Sequence, residues 1–239
     1  MSGRSRPRAA ISWSGGKDSL AALARARDAY DVIAAVTMFD ETGARTRSHG
    51  LRPDLIAAQA DRLRVRPVAA RCSWATYNAA FTRALNELHR WHITHVIFGD
   101  LMFEEHRRWA EQRCAEADLT AVEPLWGIAT DALFDAFVTS GTSAIVVTVR
   151  EPWHAWLGRQ LTADMKPEFI CHGVDPCGER GEYHTAVIDS PLFSRPIRVR
   201  PGERVRQGEC HAIDLIPDID EPLGTITWVE GLAIDAASR

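Results

Sequence analysis

Short apolar runs alternate with amphipathic stretches along the first half of the chain. Residues 9–13 are apolar and stop at Ser14-Gly15-Gly16. Residues 18–30 follow with Leu20, Leu23 and Ala24 at helical spacing, which predicts a helix. Residues 32–39 form a second apolar run. Residues 53–64 predict a helix opened by a proline in its first turn. Residues 65–70 give a third strand. Residues 75–91 give the clearest helix, with Tyr77, Phe81, Leu85 and Leu88 on one face, a face expected to pack in the core. Residues 95–98 give a fourth strand that ends at Gly99-Asp100, residues 104–117 a mostly polar helix around Trp109, and residues 120–122 a fifth strand.

Strand–helix alternation with continuous apolar strands predicts an α/β fold, a parallel sheet of about five strands covered on both faces. Crossovers in such a sheet are right-handed, and ligands bind at the carboxyl ends of its strands. Three loops fall there: residues 14–19, 39–50 and 99–105. The texture changes after Glu123-Pro124-Leu125-Trp126. Residues 130–138 predict a helix and 144–149 a β-branched strand. Residues 152–161, with Trp153 and Trp156, predict another helix. A glycine-rich charged stretch, 173–185, leads into a short strand at 186–188. Residues 194–239 suggest short strands, turns and a loose tail. The expected domains are a basic tail at 1–8, a nucleotide-binding domain at 9–124 and a smaller α/β substrate region at 125–239.

Composition narrows the class. The chain has 239 residues, 46% of them hydrophobic, enough to fill a core. A net charge of -4 disfavours general nucleic-acid binding. Arg4, Arg6 and Arg8 suggest a frayed tail. No apolar run reaches the roughly 18 residues of a membrane span, and the start lacks the apolar stretch of a secretory signal. An odd count of five cysteines argues against a disulfide framework and for the reducing cytoplasm.

The first candidate site is Ser14-Gly15-Gly16-Lys17-Asp18-Ser19, which follows a strand and opens a helix. Two glycines let backbone amides approach phosphate oxygens. A helix start adds unpaired N–H groups and the positive end of the macrodipole. Ser14 and Ser19 add hydroxyls and Lys17 a compact charge. Asp18 holds Mg²⁺ or caps the helix. The loop is neither GxxxxGK[ST] nor GxGxxG.

The second is the stretch from Gly173 to Thr185, GVDPCGERGEYHT. Its glycines permit a tight loop close to a ligand. Glu179 and Glu182 hold a metal, orient an amine, act as a general base, or are simply solvated. His49, on a loop with Arg45, Arg47 and Arg52, closes over phosphates or lies on a solvated basic loop. Asp100 is a Mg²⁺ ligand or an N-cap. Cys171-His172 and Cys177 lack the paired spacing of a zinc site.

Ser14 to Ser19 resembles the PP-loop of ATP pyrophosphatases, a superfamily of the adenine nucleotide alpha hydrolase type with a Rossmann-like parallel sheet. Residues 173–185, the following Asp189-Ser190-Pro191-Leu192-Phe193, the Pro124-Leu125-Trp126-Gly127 stretch and Phe98-Gly99-Asp100 resemble, in order, the motifs of the diphthine–ammonia ligase family, from about residue 9 to about residue 195. The resemblance implies that Ser14, Gly15, Gly16, Lys17, Asp18 and Ser19 contact ATP. Thr37, Met38 and Phe39 then lie by the adenine through their backbone groups, and His49, Gly99 and Asp100 complete the nucleotide site. Asp18 and Asp100 become candidate Mg²⁺ ligands. Gly178, Glu179, Gly181, Glu182, Tyr183 and Thr185 fall on the acyl or ammonia side, with Lys17, Glu179 and Glu182 as catalytic candidates.

The implied reaction adenylates a carboxylate, releases pyrophosphate and passes the acyl group to ammonia or an amine. Its partners are a carboxylate-bearing small molecule or modified protein side chain and the amine, in a monomer or homodimer. His184, Cys177 and Arg180 depart from the commoner GEGGEYET form and are similar to that of bacterial relatives. Bacteria lack diphthamide, so the adenylation half carries over further than the diphthine substrate. Two other readings stay open. One is sulfur transfer to tRNA through Cys177; the other is a nucleotide-binding module without turnover.

Overall fold

A computed structural model describes residues 5–230; Arg4 of the basic tail and residues 231–239 of the C-terminal tail lie outside them. The first half builds strands β1 (Arg8–Ser12), β2 (Asp31–Phe39), β3 (Arg66–Arg71), β4 (His95–Ile97) and β5 (Thr120–Val122). Helices α1 (Lys17–Ala26), α2 (Pro53–Leu63), α3 (Tyr77–Arg90) and α4 (Glu104–Ala115) connect them. The strands are parallel and run in the order β3-β2-β1-β4-β5. The order therefore reverses between β1 and β4, and the chain leaves a crevice at their carboxyl ends.

The pleat decides which residues face which layer. In β1, Ala9 and Ile11 belong to one core and Ala10 to the other. One face packs on Phe81, Leu85 and Leu88 of α3 and on Ala110 and Cys114 of α4. The other packs on Leu20 and Leu23 of α1 and on Leu55 and Ile56 of α2. That second core continues without a break into the C-terminal half, through Phe134, Val146, Tyr183 and Val187.

The C-terminal half adds α5 (Thr130–Thr139), β6 (Ser143–Arg150), α6 (Met165–Cys171), β7 (Tyr183–Asp189), β8 (Val199–Gln207) and β9 (Cys210–Pro217). Its strands form an antiparallel sheet in the order β7-β6-β9-β8. Finally β10 (Thr227–Trp228) returns to pair with β3, giving the first sheet a sixth parallel strand. The fold is the expected α/β class: a Rossmann-like parallel sheet with a smaller α/β region.

Three local expectations change. The helix expected over 152–161 is a single 3-10 turn, His154–Trp156, with Trp153 and Trp156 stacked at 5.7 Å. The short strands expected after 194 include a long hairpin, in which β8 and β9 pair antiparallel and only β9 sets buried residues, Ile213, Leu215 and Pro217, at every second position. Residues 27–30 leave the helix and turn back into β2 rather than extending α1. No helix among the described residues is long and apolar enough to cross a membrane.

Candidate active site

A cleft of about 400 Å³ opens at the β1–β4 crevice. Its floor is the loop after β1. Gly15 has φ +84°, and a Cβ there would lie 2.5 Å from Leu51 Cδ1 and 2.9 Å from Gln59 Oε1, so only glycine fits. Gly16 stands at the N-cap of α1 and offers the helix amides no side chain of its own; Lys17 N is met instead by Thr185 Oγ1, and a helix start of this kind suits an anion. Ser14 Oγ accepts from Gly16 N at 3.2 Å, and Ser19 Oγ donates to Gly16 O at 2.9 Å.

Gln59 holds this loop in place. It is wholly buried, and its amide donates to Gly15 O (3.0 Å) and Val187 O (2.8 Å) while accepting from Trp13 Nε1 (2.8 Å). Val187 N in turn donates to Gly15 O at 2.9 Å. The phosphate loop is thus pinned between α2 and β7. Spacing assigns Gln59 no role; one polar residue in an otherwise apolar helix face is the available signal.

The second signature closes the cleft from the opposite side. Lys17 N donates to Thr185 Oγ1 at 3.1 Å, and Lys17 Nζ donates to Asp18 Oδ2 at 2.7 Å and to Cys177 O. The ammonium also lies 5.3 Å from the centre of the Tyr183 ring. His49 Nδ1 bonds to Thr185 O at 2.8 Å, and its ring stacks on His184 at 4.6 Å. Gly178, Glu179, Gly181, Tyr183 and Thr185 line the cleft, facing Thr37, Met38, Gly99 and Asp100. Residues more than 130 positions apart meet here.

Two expected site residues have buried side chains that do not line the cleft. The Phe39 side chain is fully buried and packs on Trp228 at 5.1 Å between ring centres, which leaves to its backbone the contact expected with the adenine. Glu182 is 5% exposed and is not among the cleft-lining residues. Its carboxylate accepts from Arg180 N (2.9 Å) and Asp175 N (3.3 Å), binding the 175–182 loop to itself. The two glutamates that sequence treats alike therefore part: Glu179 faces the cleft and Glu182 holds the loop. His184, Tyr77 and His106 also line the cleft without having been singled out as site residues.

The electrostatics are unusual. Burial works against the charge on Lys17, but Asp18 foremost, with Tyr183, Cys177 and Glu179, keeps its pKa above the ordinary lysine range. Burial and the neighbouring Asp18 carboxylate push Glu179 up to about 8, against the pull of Lys17. Burial likewise raises Asp100, opposed by His106 at 3.3 Å. Burial lowers His49 to about 4 despite its bond to Thr185 O, and takes His184 well below the ordinary histidine range. The histidine pair is neutral at physiological pH.

The Asp18 carboxylate raises the proton affinity of Asp100 and of Glu179 across the cleft, and Asp100 adds to the effect on Glu179. Among the described residues no cluster of three or more ligands could cage a metal. Such a set of carboxylates suits Mg²⁺, which takes one or two protein oxygens and completes its shell with phosphates and water. Cys177 has no such aptitude for sulfur chemistry. It is 2% exposed, its thiol donates to Thr130 O at 3.2 Å, and burial pushes it up to about 12, where little thiolate exists.

Two family models match the chain, the diphthamide synthase N-terminal domain over residues 7–121 and the diphthamide synthase C-terminal domain over residues 129–215. A diphthine–ammonia ligase of Danio rerio is 33% identical over 124 residues, covering 48% of this chain and 47% of its own. That of Mus musculus is 31% identical over 121 residues, covering 47% and 45%. That of Schizosaccharomyces pombe is 32% identical over 108 residues, covering 43% and 18%. The chain spans about half the length of the two vertebrate relatives. A solved structure described as a predicted subunit of tRNA methyltransferase from Methanocaldococcus jannaschii is 14% identical, covering 77% of this chain and 98% of its own at a TM-score of 0.39, a likeness too loose to argue from.

Proposed function

The chain belongs to the diphthamide synthase family, and on that premise we propose that it is an ATP-dependent amide ligase that adenylates a carboxylate and passes the acyl group to ammonia or an amine. The observation that carries the reading is the junction of Lys17 with the second signature. One residue offers its backbone N–H to Thr185 and its ammonium to Cys177 O, in the first turn of α1. An ATP-binding loop and an acyl-transfer loop joined at one residue can act on one reacting centre.

In this reading the triphosphate lies over the loop, with Lys17 and the loop amides on its outer two phosphates. The substrate carboxylate attacks the α-phosphorus, the bond to pyrophosphate breaks, and an acyl adenylate forms. Lys17 and the amides stabilise the charge that develops on pyrophosphate, the preorganised electrostatic effect that dominates many such reactions. Mg²⁺, held by Asp18 and Asp100, would neutralise the phosphates and so offset the acidic cleft. Glu179, with a pKa of about 8, accepts the proton of ammonium, and the freed ammonia attacks the acyl carbon as AMP leaves. Glu182 keeps Glu179 in place by holding their shared loop.

The acyl substrate is a carboxylic acid; diphthine is the acid that the names of the relatives suggest. Pyrophosphate exchange into ATP tests the first half-reaction. The chain incorporates labelled pyrophosphate when given Mg²⁺ and its acid, without ammonium. A chain that binds ATP and never exchanges, whatever the acid, is a nucleotide-binding module.

A further inference from the structure

Tyr77, the first residue of α3, lines the nucleotide cleft, and the chemistry proposed above gives it no part. Its ring is held on several sides. Trp74 stacks on it at 5.8 Å and 24°, Phe81 lies nearly parallel to it at 6.2 Å and 9°, and Trp109 is tilted against it at 5.8 Å. These supports are themselves fixed. Phe81 is buried, the Arg47 guanidinium lies 4.3 Å over the Trp74 ring, and Trp109 Nε1 donates to Asn78 Oδ1 at 2.8 Å. A ring packed in this way keeps one orientation. The phenol end differs, because no hydrogen bond acts on its hydroxyl. A half-buried hydroxyl of this kind offers a donor and an acceptor to whatever enters the cleft.

Position decides what it meets. Lys17 and Asp18 mark the phosphate end of the cleft, and both act on Glu179. Neither acts on the Tyr77 phenol, whose ionisable neighbours are Cys72, Asp100 and Arg47. Tyr77 therefore stands away from the phosphate loop, on a cleft whose wall also includes Thr37 and Met38. A nucleotide with its outer phosphates on the loop brings its base to that end.

We propose that the Tyr77 hydroxyl reads the adenine base, accepting from the 6-amino group and donating to N7; the assignment rests on the adenylation reading above, which puts ATP in this cleft. Adenine presents a donor and an acceptor side by side on that edge, and a hydroxyl answers both. A 6-oxo purine presents two acceptors there, so the hydroxyl satisfies one and sets its own lone pairs against the other.

Tyr77→Phe keeps the ring and its stacking and removes only the hydroxyl. Calorimetry compares MgATP, MgITP and magnesium tripolyphosphate on the full chain. In Tyr77→Phe, MgATP weakens roughly fivefold, the worth of a neutral hydrogen bond, while MgITP weakens clearly less and tripolyphosphate not at all. The preference for ATP over ITP narrows, which a purely structural role for the ring would not produce. Unchanged MgATP affinity, equal weakening of the two nucleotides, or weakened tripolyphosphate binding in Tyr77→Phe overturns the assignment. Lys17→Ala examines the phosphate loop separately: it loses tripolyphosphate, and if it bound tripolyphosphate like the wild type, the adenylation reading would fail and the assignment with it.

Discussion

Lys17 donates its backbone N–H to the hydroxyl of Thr185, 168 positions later in the chain, at 3.1 Å. The bond joins the first turn of α1 to β7 and makes the phosphate loop and the second signature one unit. Thr185→Val keeps the shape and removes the acceptor, leaving a buried N–H unpaired at a cost of about 1–3 kcal/mol. Thermal melts should show a loss of several degrees in the free chain and a smaller loss with MgATP, because a phosphate can take the orphaned N–H.

Gln59 should matter as much to the loop as any residue within it. Gln59→Leu removes the Gln59 bonds to Val187 O and from Trp13 Nε1 and one of the two bonds to Gly15 O, which keeps that from Val187 N. At about 1–3 kcal/mol for each buried group left unpaired, urea unfolding should show a loss of roughly 3 kcal/mol or more. A neutral result would mean that the loop is held by its glycines alone.

Much of this was legible in the order of residue types. Ser14 to Ser19 sits where a strand meets a helix, and its glycines and lysine announce an anion site whatever the fold around them. The parallel strands were legible because strands buried on both faces are continuously apolar, as in Ala9 to Ile11 and Ala34 to Val36. What stayed hidden was long-range. The pairing of β10 with β3 needs only two residues, too few for any periodicity. The division of labour between Glu179 and Glu182 depends on which carboxylate meets Arg180 N, a matter of loop geometry that spacing does not encode. The packing of Trp228 on the Phe39 ring was hidden too, because the two residues lie far apart in the chain.

Glu179 should give the protein a pH signature. Its folded pKa of about 8 lies above the unfolded value of about 4.3, so the folded state holds the proton more tightly between them. Stability from this group is therefore fully present below about 4.3 and is lost as pH rises through about 8. Glu179→Gln removes that component, which stability curves measured across the window should show as a flatter profile. In amide formation the same variant should lose roughly 10²–10⁴-fold in turnover and the rate limb near pH 8.

Glu182→Gln should behave differently. Gln keeps one acceptor oxygen for two amides, so the loop loosens and melting falls. Turnover declines while the pH profile keeps the limb set by Glu179. A profile altered as in Glu179→Gln would place Glu182 at the reacting centre after all.

Gly99 closes the crevice from the β4 side. A Cβ there would lie 2.9 Å from the Asp18 carbonyl carbon and 3.0 Å from Ser19 N, backbone atoms that cannot step aside alone. Gly99→Ala should cost about 1–3 kcal/mol and displace the start of α1. Calorimetry should register weaker MgATP binding alongside the lower melting temperature.

The central claim is that Lys17 and its loop grip the outer two phosphates while the bond beyond the α-phosphorus breaks. Phosphorus NMR of the products from MgATP, ammonium and the acid substrate tests it most directly. The wild type should release AMP and pyrophosphate in equal amounts and Lys17→Ala neither. ADP with inorganic phosphate, or undiminished AMP from Lys17→Ala, would contradict it.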